Sequence, residues 1–150
     1  MKLRVVWIAA RTRSKEPAYD SLTHEYVARI SKFNPIEALA VSSEAALLKL
    51  ADRKARRTAP VLVLLDSRGK EMTSEQFAQW IESHRANDVQ QLIFAIGPAD
   101  GFSDVVRRVA SGTISLGKMT LAHELARVVL LEQIYRAFTI MRKHPYHCGH

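Results

Sequence analysis

Apolar residues in this 150-residue chain fall by turns into short unbroken runs and into stripes spaced by three and four. Lys2 to Ala9, rich in Val and Ile, predicts a first strand. Pro17 opens a helical pattern with Tyr19, Leu22, Tyr26 and Ile30 on one side, and Asn34-Pro35 breaks it. Ile36 to Val41 gives a second strand. Ser42 or Ser43 caps a helix with an apolar stripe of Ala46, Leu47 and Leu50, and its other face carries Lys49, Arg53, Lys54, Arg56 and Arg57. The run Val61 to Leu65 reads as a strand buried on both faces, ending in the polar Asp66-Ser67-Arg68-Gly69. Thr73 and Gln76 form a capping box before a helix lined by Phe77, Trp80 and Ile81. Leu92 to Ile96 is a fourth strand. Ser103 caps a short helix with Val105, Val106 and Val109, and Thr113 to Leu116 is a fifth strand. The last element, Leu121 to about Lys143, keeps helical spacing for roughly 33 Å at 1.5 Å per residue.

Strands alternating with helices imply one α/β domain over residues 1–150, a mostly parallel sheet with helices on both faces. Ligands of such sheets bind beyond the carboxyl ends of the strands. The turns after Leu65, Ile96 and Leu116 therefore come first. The final helix is apolar around most of its girth, so it needs a second surface beyond the sheet. A partner subunit, giving a homodimer through this C-terminal helix, is one use of that surface. A central helix inside a monomer is the other.

Composition changes this picture little. Hydrophobic residues make up 47% and charged residues 25%, as in ordinary globular proteins. The 22 Lys and Arg against 15 Asp and Glu leave a net charge of +7, which suits a polyanion contacted through its phosphates. Arg11, Arg13 and Lys15, with the Arg53–Arg57 face, are candidate phosphate contacts or simply solvated surface. A lone Cys148 points to a reducing compartment. No run approaches the roughly 18 apolar residues of a membrane span, and the β-branched start reads as a strand rather than a signal peptide. The expected location is cytoplasmic, with no membrane partner. No GxGxxG follows the first strand, and no GxxxxGK[ST] or G-x-S-x-G occurs.

Candidate chemistry collects in the carboxyl-terminal third. Gly97-Pro98-Ala99-Asp100-Gly101 is a floor for an adenosine-like group or a plain tight turn. Gly117 to Ala122 offers backbone groups to an adenine edge with Met119 and Leu121 as walls, or is a helix start capped by Thr120. Glu132 and Arg136 stand at i, i+4 in the favourable order, a pair that is mostly solvated surface, and His123 and Arg127 also share a face, where a lone helical histidine is usually structural. The tail His144-Pro145-Tyr146-His147-Cys148 admits three readings: a metal site lacking a second cluster of ligands, a disordered end, or a segment folded back onto an active site.

These blocks together carry a resemblance. Leu65 to Lys70, Phe94 to Gly101, Ser115 to His123, Leu131 to Ala137 and His144-Pro145-Tyr146-His147, in this order and spacing, resemble the ribosomal RNA large-subunit methyltransferase H family of the SPOUT class; His24 to Arg29 is the best match in the weaker first half. The resemblance implies a small homodimer with a C-terminal trefoil knot. It implies S-adenosylmethionine as cofactor and methylation of N3 of a pseudouridine in large-subunit rRNA of assembled ribosomes. It places cofactor contacts at Leu65, Gly97, Pro98 and the segment Leu116, Gly117, Lys118, Met119, Thr120, Leu121 and Ala122. The family usually has Gly-Gly where this chain has Gly97-Pro98, and Pro98 has no N–H to donate.

The chemistry of an imide nitrogen then selects residues. N3 is protonated at neutrality, and losing that proton puts negative charge on the flanking carbonyls, so a base and a cation are both useful. His147 or His144 can take a proton. Arg136 can bind an anionic edge bidentately. Tyr146 or Tyr135 can stack on a flipped ring. Arg136, Tyr146 and His147 are the expected catalytic residues, without a metal. His123, Arg127, Tyr135, His144, Arg53, Lys54, Arg56 and Arg57 are the expected RNA contacts. A non-catalytic RNA-binding module of the same fold and a small-molecule α/β enzyme are the alternatives.

Overall fold

The computed structural model describes residues 1–9, 14–52, 58–98 and 100–148. Strands and helices alternate: β1 (Lys2–Ile8), α1 (Pro17–Ser31), β2 (Ile36–Val41), α2 (Glu44–Leu50), β3 (Val61–Glu71), α3 (Ser74–Ala86), β4 (Gln91–Ile96), α4 (Asp104–Val109), β5 (Gly112–Ser115) and α5 (His123–Met141). The strands form one parallel sheet in the order β2-β1-β4-β3-β5. The expected architecture, a parallel sheet covered on both faces, is the one observed.

The unbroken runs follow from that coverage. Leu3, Val5, Val63, Leu92 and Phe94 face a layer of α1, α3 and α5, meeting Ile30, Phe77, Ile81, Leu130 and Ile134. Their neighbours Val6, Leu62, Leu64, Ile93 and Ala95 face α2 and α4, meeting Leu47 and Val106. Each Val, Leu, Ile or Phe among these contributes roughly 1.5–3 kcal/mol by leaving water, so alternation with polar residues would forfeit one of the two cores. The girth of α5 is explained within one chain: it lies between α1 and α3 over the sheet.

Several boundaries differ from the sequence reading. β3 does not stop at Asp66–Gly69 but runs on to Glu71, pairing β5 again at Lys70 and Glu71 after a bulge. The physical reason is Gly69: a Cβ there would lie 2.6 Å from the carbonyl carbon of Ile114, so only glycine lets the bulged strand press this close to β5. α5 begins at His123, not Leu121, and is about 28 Å long. Its N-cap is Ala122 without a side-chain cap, so Thr120 does not close the helix. β5 starts one residue early, at Gly112. Of the three α4 valines only Val106 is buried; Val105 and Val109 face outward, as does Leu22 of α1. A two-turn helix laid across a sheet buries one narrow stripe.

Candidate active site

At one rim of the parallel sheet the bulge of β3, with Leu65 to Arg68, and the turns after β4 and β5 converge on a cleft of about 500 Å³. Of the expected cofactor contacts, Leu65, Gly97, Pro98, Leu116, Gly117, Met119, Thr120, Leu121 and Ala122 all line it. Lys118 does not; it is exposed outside the lining. His123, expected on the RNA side, joins the cleft instead. Gly97 is required by packing: a Cβ would stand 2.9 Å from the Phe102 ring. The Pro98 carbonyl accepts from Gly101 N–H at 2.9 Å, which closes the turn with the one backbone group Pro98 has to offer.

Sequence reasoning missed the side chains that hold these turns together. Asp66 accepts from Arg107 of α4 at 2.8 Å and from the backbone N–H of Arg68 at 2.9 Å. Arg107 also donates to the Phe102 carbonyl at 3.3 Å, tying the bulge of β3 to the turn after β4. Hydrogen bonds from the Arg68 side chain, then from Arg107, hold the Asp66 carboxyl far below the usual carboxylate range. Ser115, buried at the end of β5, accepts from Gly117 N–H at 3.0 Å. Its hydroxyl lies 2.8 Å from the Gly117 carbonyl and 3.2 Å from that of Ser67. The turn after β5 is thereby tied to the bulge of β3. Local pattern shows an N-capping serine or a polar strand end; it does not show partners 41 or 48 residues away.

The tail is ordered by the end of α5. Lys143 adopts φ +54°, His144 N–H reaches back to the Thr139 carbonyl at 2.8 Å, and Lys143 N–H to that of Ile140 at 3.1 Å. This paired reversal turns the chain back. Tyr146 then donates to Glu132 at 3.1 Å, Arg136 donates to the same Glu132 oxygen at 2.7 and 3.1 Å, and the guanidinium lies 4.9 Å from the Tyr146 ring centre. Arg136 Nη1 is 3.2 Å from His147 Nδ1, and His147 Nε2 is 2.8 Å from Glu75 at the first turn of α3. Arginine only donates, so Nδ1 accepts and Nε2–H donates to Glu75. Burial, with the Glu132 hydrogen bond second, pushes the Tyr146 phenol up to about 12. The Glu132 hydrogen bond raises Arg136 above its ordinary value, and the His147 hydrogen bond lowers Glu75.

Arg136, Tyr146 and His147 thus meet in one cluster, with Glu132 and Glu75 as unforeseen members, but not in the cleft onto which the folded-back reading places the tail. Among the described residues, none of the tail lines the cleft. The cluster sits instead beside a second cavity of about 380 Å³, to which Ser74 of α3 and Gln133 of α5 contribute; Leu116 and Gly117 line both cavities. His144 is exposed, its Nδ1 accepting from Tyr146 N–H at 3.2 Å. Among the described residues no group of three His, Cys, Asp or Glu could hold a metal ion.

Two expected RNA contacts are placed elsewhere. Arg127 is buried, 2% exposed, with its guanidinium 4.1 Å from the Trp7 ring centre and 3.3 Å from Asp20. It therefore has no surface to offer RNA. Burial lowers its pKa while Asp20 and Glu124 oppose the shift. Tyr135 packs with Tyr26, Phe33 and Tyr146, so its ring is not free to stack on a base. Arg53, Lys54, Arg56 and Arg57, with Arg11 and Arg13, lie outside the described residues. No helix among the described residues is long and apolar enough to cross a membrane.

The comparisons agree with one another. The family model described as Predicted SPOUT methyltransferase matches residues 1–147. A Koribacter versatilis (strain Ellin345) protein called Ribosomal RNA large subunit methyltransferase H is 56% identical over 150 residues, 100% of both chains. One of the same name from Geobacter sulfurreducens is 42% identical, over 98% of this chain and 99% of its own. The SpoU methyltransferase AviRb from Streptomyces viridochromogenes superposes with TM-score 0.56 at 18% identity, over 93% of this chain and 60% of that one. Its complex with the cofactor AdoMet gives 0.51 at 17%, over 91% and 57%. Those two likenesses show the fold, and this chain spans about three fifths of AviRb's length.

Proposed function

The chain belongs to the SPOUT methyltransferase family, and we propose that it transfers a methyl group from S-adenosylmethionine to large-subunit ribosomal RNA, at N3 of a pseudouridine in the assembled ribosome. One observation carries the reading: the bulge of β3 and the turns after β4 and β5, far apart in sequence, close on a single cleft fixed by Asp66, Arg107 and Ser115. The cleft fits a nucleoside-type donor in size and chemistry. It combines apolar walls from Leu65, Met119 and Leu121 with backbone groups of two turns, and a carbon at position 97 would collide with its floor.

S-adenosylmethionine supplies a methyl group on a positively charged sulfur. The chain's part is to align and deprotonate the imide. Arg136 turns from His147 to the carbonyl oxygens flanking N3, where charge develops. That movement bares the Nδ1 lone pair of His147, which takes the N3 proton. Glu75, holding Nε2–H, keeps the tautomer and steadies the imidazolium. The N3 lone pair freed in this way is the nucleophile to which a donor bound in the cleft would deliver its methyl group. Tyr146 stays protonated at neutral pH and acts as a hydrogen-bond donor, not as a base.

We also propose a homodimer through α5, where Leu125 remains 39% exposed. The deciding experiment is tritiated methyl transfer to ribosomes lacking the modification, with the labelled nucleotide mapped. Label confined to one pseudouridine supports the reading, and no transfer removes it. A donor titration without binding heat favours the non-catalytic module, which the missing Pro98 N–H suggests.

A further inference from the structure

The second cavity has its own chemistry. Met72, Phe77, Ile114 and Val129 give it apolar walls, and Glu71 is the one charged residue among the described residues that line it. A site without a lysine or arginine and with one carboxylate repels phosphate and suits a neutral planar ring. At about 380 Å³ it lies near the lower end of ligand-sized pockets. It shares Leu116 and Gly117 with the donor cleft, and its Ser74 adjoins Glu75, which holds His147. A ring seated here would share two wall residues with the donor cleft, and its Ser74 and Gln133 are chain neighbours of Glu75 and Glu132 in the proton-accepting cluster.

Gln133 is prepared for such a ring. Its Nε2 donates to the Glu132 carboxylate at 3.0 Å, and its Oε1 accepts from Ser74 Oγ at 2.8 Å. A carboxylate only accepts, so the nitrogen end of the amide is fixed. The amide has two N–H groups and two oxygen lone pairs, and these contacts use one of each, so Gln133 keeps one donor and one acceptor to offer an edge with a C=O next to an N–H.

Resting on the methyl-transfer reading, we propose that this cavity seats the acceptor base and that Gln133 reads an N–H beside a C=O on the edge away from the sugar. In a pseudouridine the sugar is joined through carbon, so N1 keeps its hydrogen next to C2=O and N3 stays free to react. In uridine N1 carries the sugar and that hydrogen is missing. Gln133 is then the residue that separates the two, since a site built to bind an N–H penalises the analogue without it.

The test compares single-turnover methyl transfer to ribosomes carrying pseudouridine or uridine at the target, for the wild type, Gln133→Leu and Ser74→Ala. The wild type prefers pseudouridine. Gln133→Leu loses that preference by about 10- to 100-fold, mainly through the pseudouridine rate, with donor affinity by calorimetry unchanged. Ser74→Ala, which frees the amide without removing it, loses less. An undiminished preference in a folded, donor-binding Gln133→Leu protein overturns the subsite while the methyl-transfer reading stands. A wild type inactive on both ribosomes overturns that reading and the subsite with it.

Discussion

Lys143 holds a backbone conformation that glycine adopts without strain and lysine does not. Lys143→Gly should raise stability by about 0.5–1 kcal/mol, seen as an upward shift in the urea midpoint at constant slope. Three residues on, Tyr146 titrates far from its ordinary value of 10.0, at about 12. Because burial first and the Glu132 hydrogen bond second raise the folded value, the protonated phenol stabilises the tail fully below pH 10, and that stability is lost as pH climbs to about 12. Tyrosinate absorbance should therefore show one phenol titrating late, and Tyr146→Phe should remove that step. His147→Ala should slow single-turnover transfer by roughly 100-fold or more, with the donor dissociation constant within about twofold. An unchanged rate would take His147 out of the chemistry.

Packing between elements sets a different kind of effect. Arg127 on α5 and Asp20 on α1 make an asymmetric pair: the guanidinium is 2% exposed and the carboxylate side chain 27%. Removing Asp20 strands a buried cation, whereas removing Arg127 leaves a carboxylate that water can reach. Asp20→Ala should cost about 3–5 kcal/mol, and Arg127→Met clearly less, by chemical denaturation. Equal losses would mean the pair is not desolvated in this way. At the rim, the Asp66 carboxyl titrates well below the normal range, so its contribution is complete above ordinary carboxylate values and fades only as acid carries the pH through its depressed value. Asp66→Asn should thus flatten the acid side of the stability profile.

The same scale explains what could be read from sequence. Runs such as Val61 to Leu65 and Leu92 to Ile96 announce buried parallel strands because both faces are covered. Asp66-Ser67-Arg68-Gly69 reads as a turn by residue type, and nothing local shows that β5 will pair with the strand again beyond it. Strand order, and the ties from Asp66 to Arg107 and from His147 to Glu75, depend on topology rather than periodicity. Arg127 looked like half of a surface pair because helical spacing does not say which turn is covered.

For the molecule as a whole, a net charge of +7 and a phosphate-rich partner imply binding that weakens steeply with salt. Charge reversal at Arg53, Lys54, Arg56 and Arg57 should flatten that dependence, measured as the slope of log affinity against log salt. An unaltered slope would make them ordinary surface. Every group assigned to proton handling except Glu75, Glu132 and Arg136 lies after the backward hook at Lys143, while the hydrophobic interior ends before it. A peptidase nibbling from the carboxyl end as far as Pro145 would leave a soundly built, donor-competent enzyme that has lost its activity, so a preparation can pass every test of foldedness and still be dead.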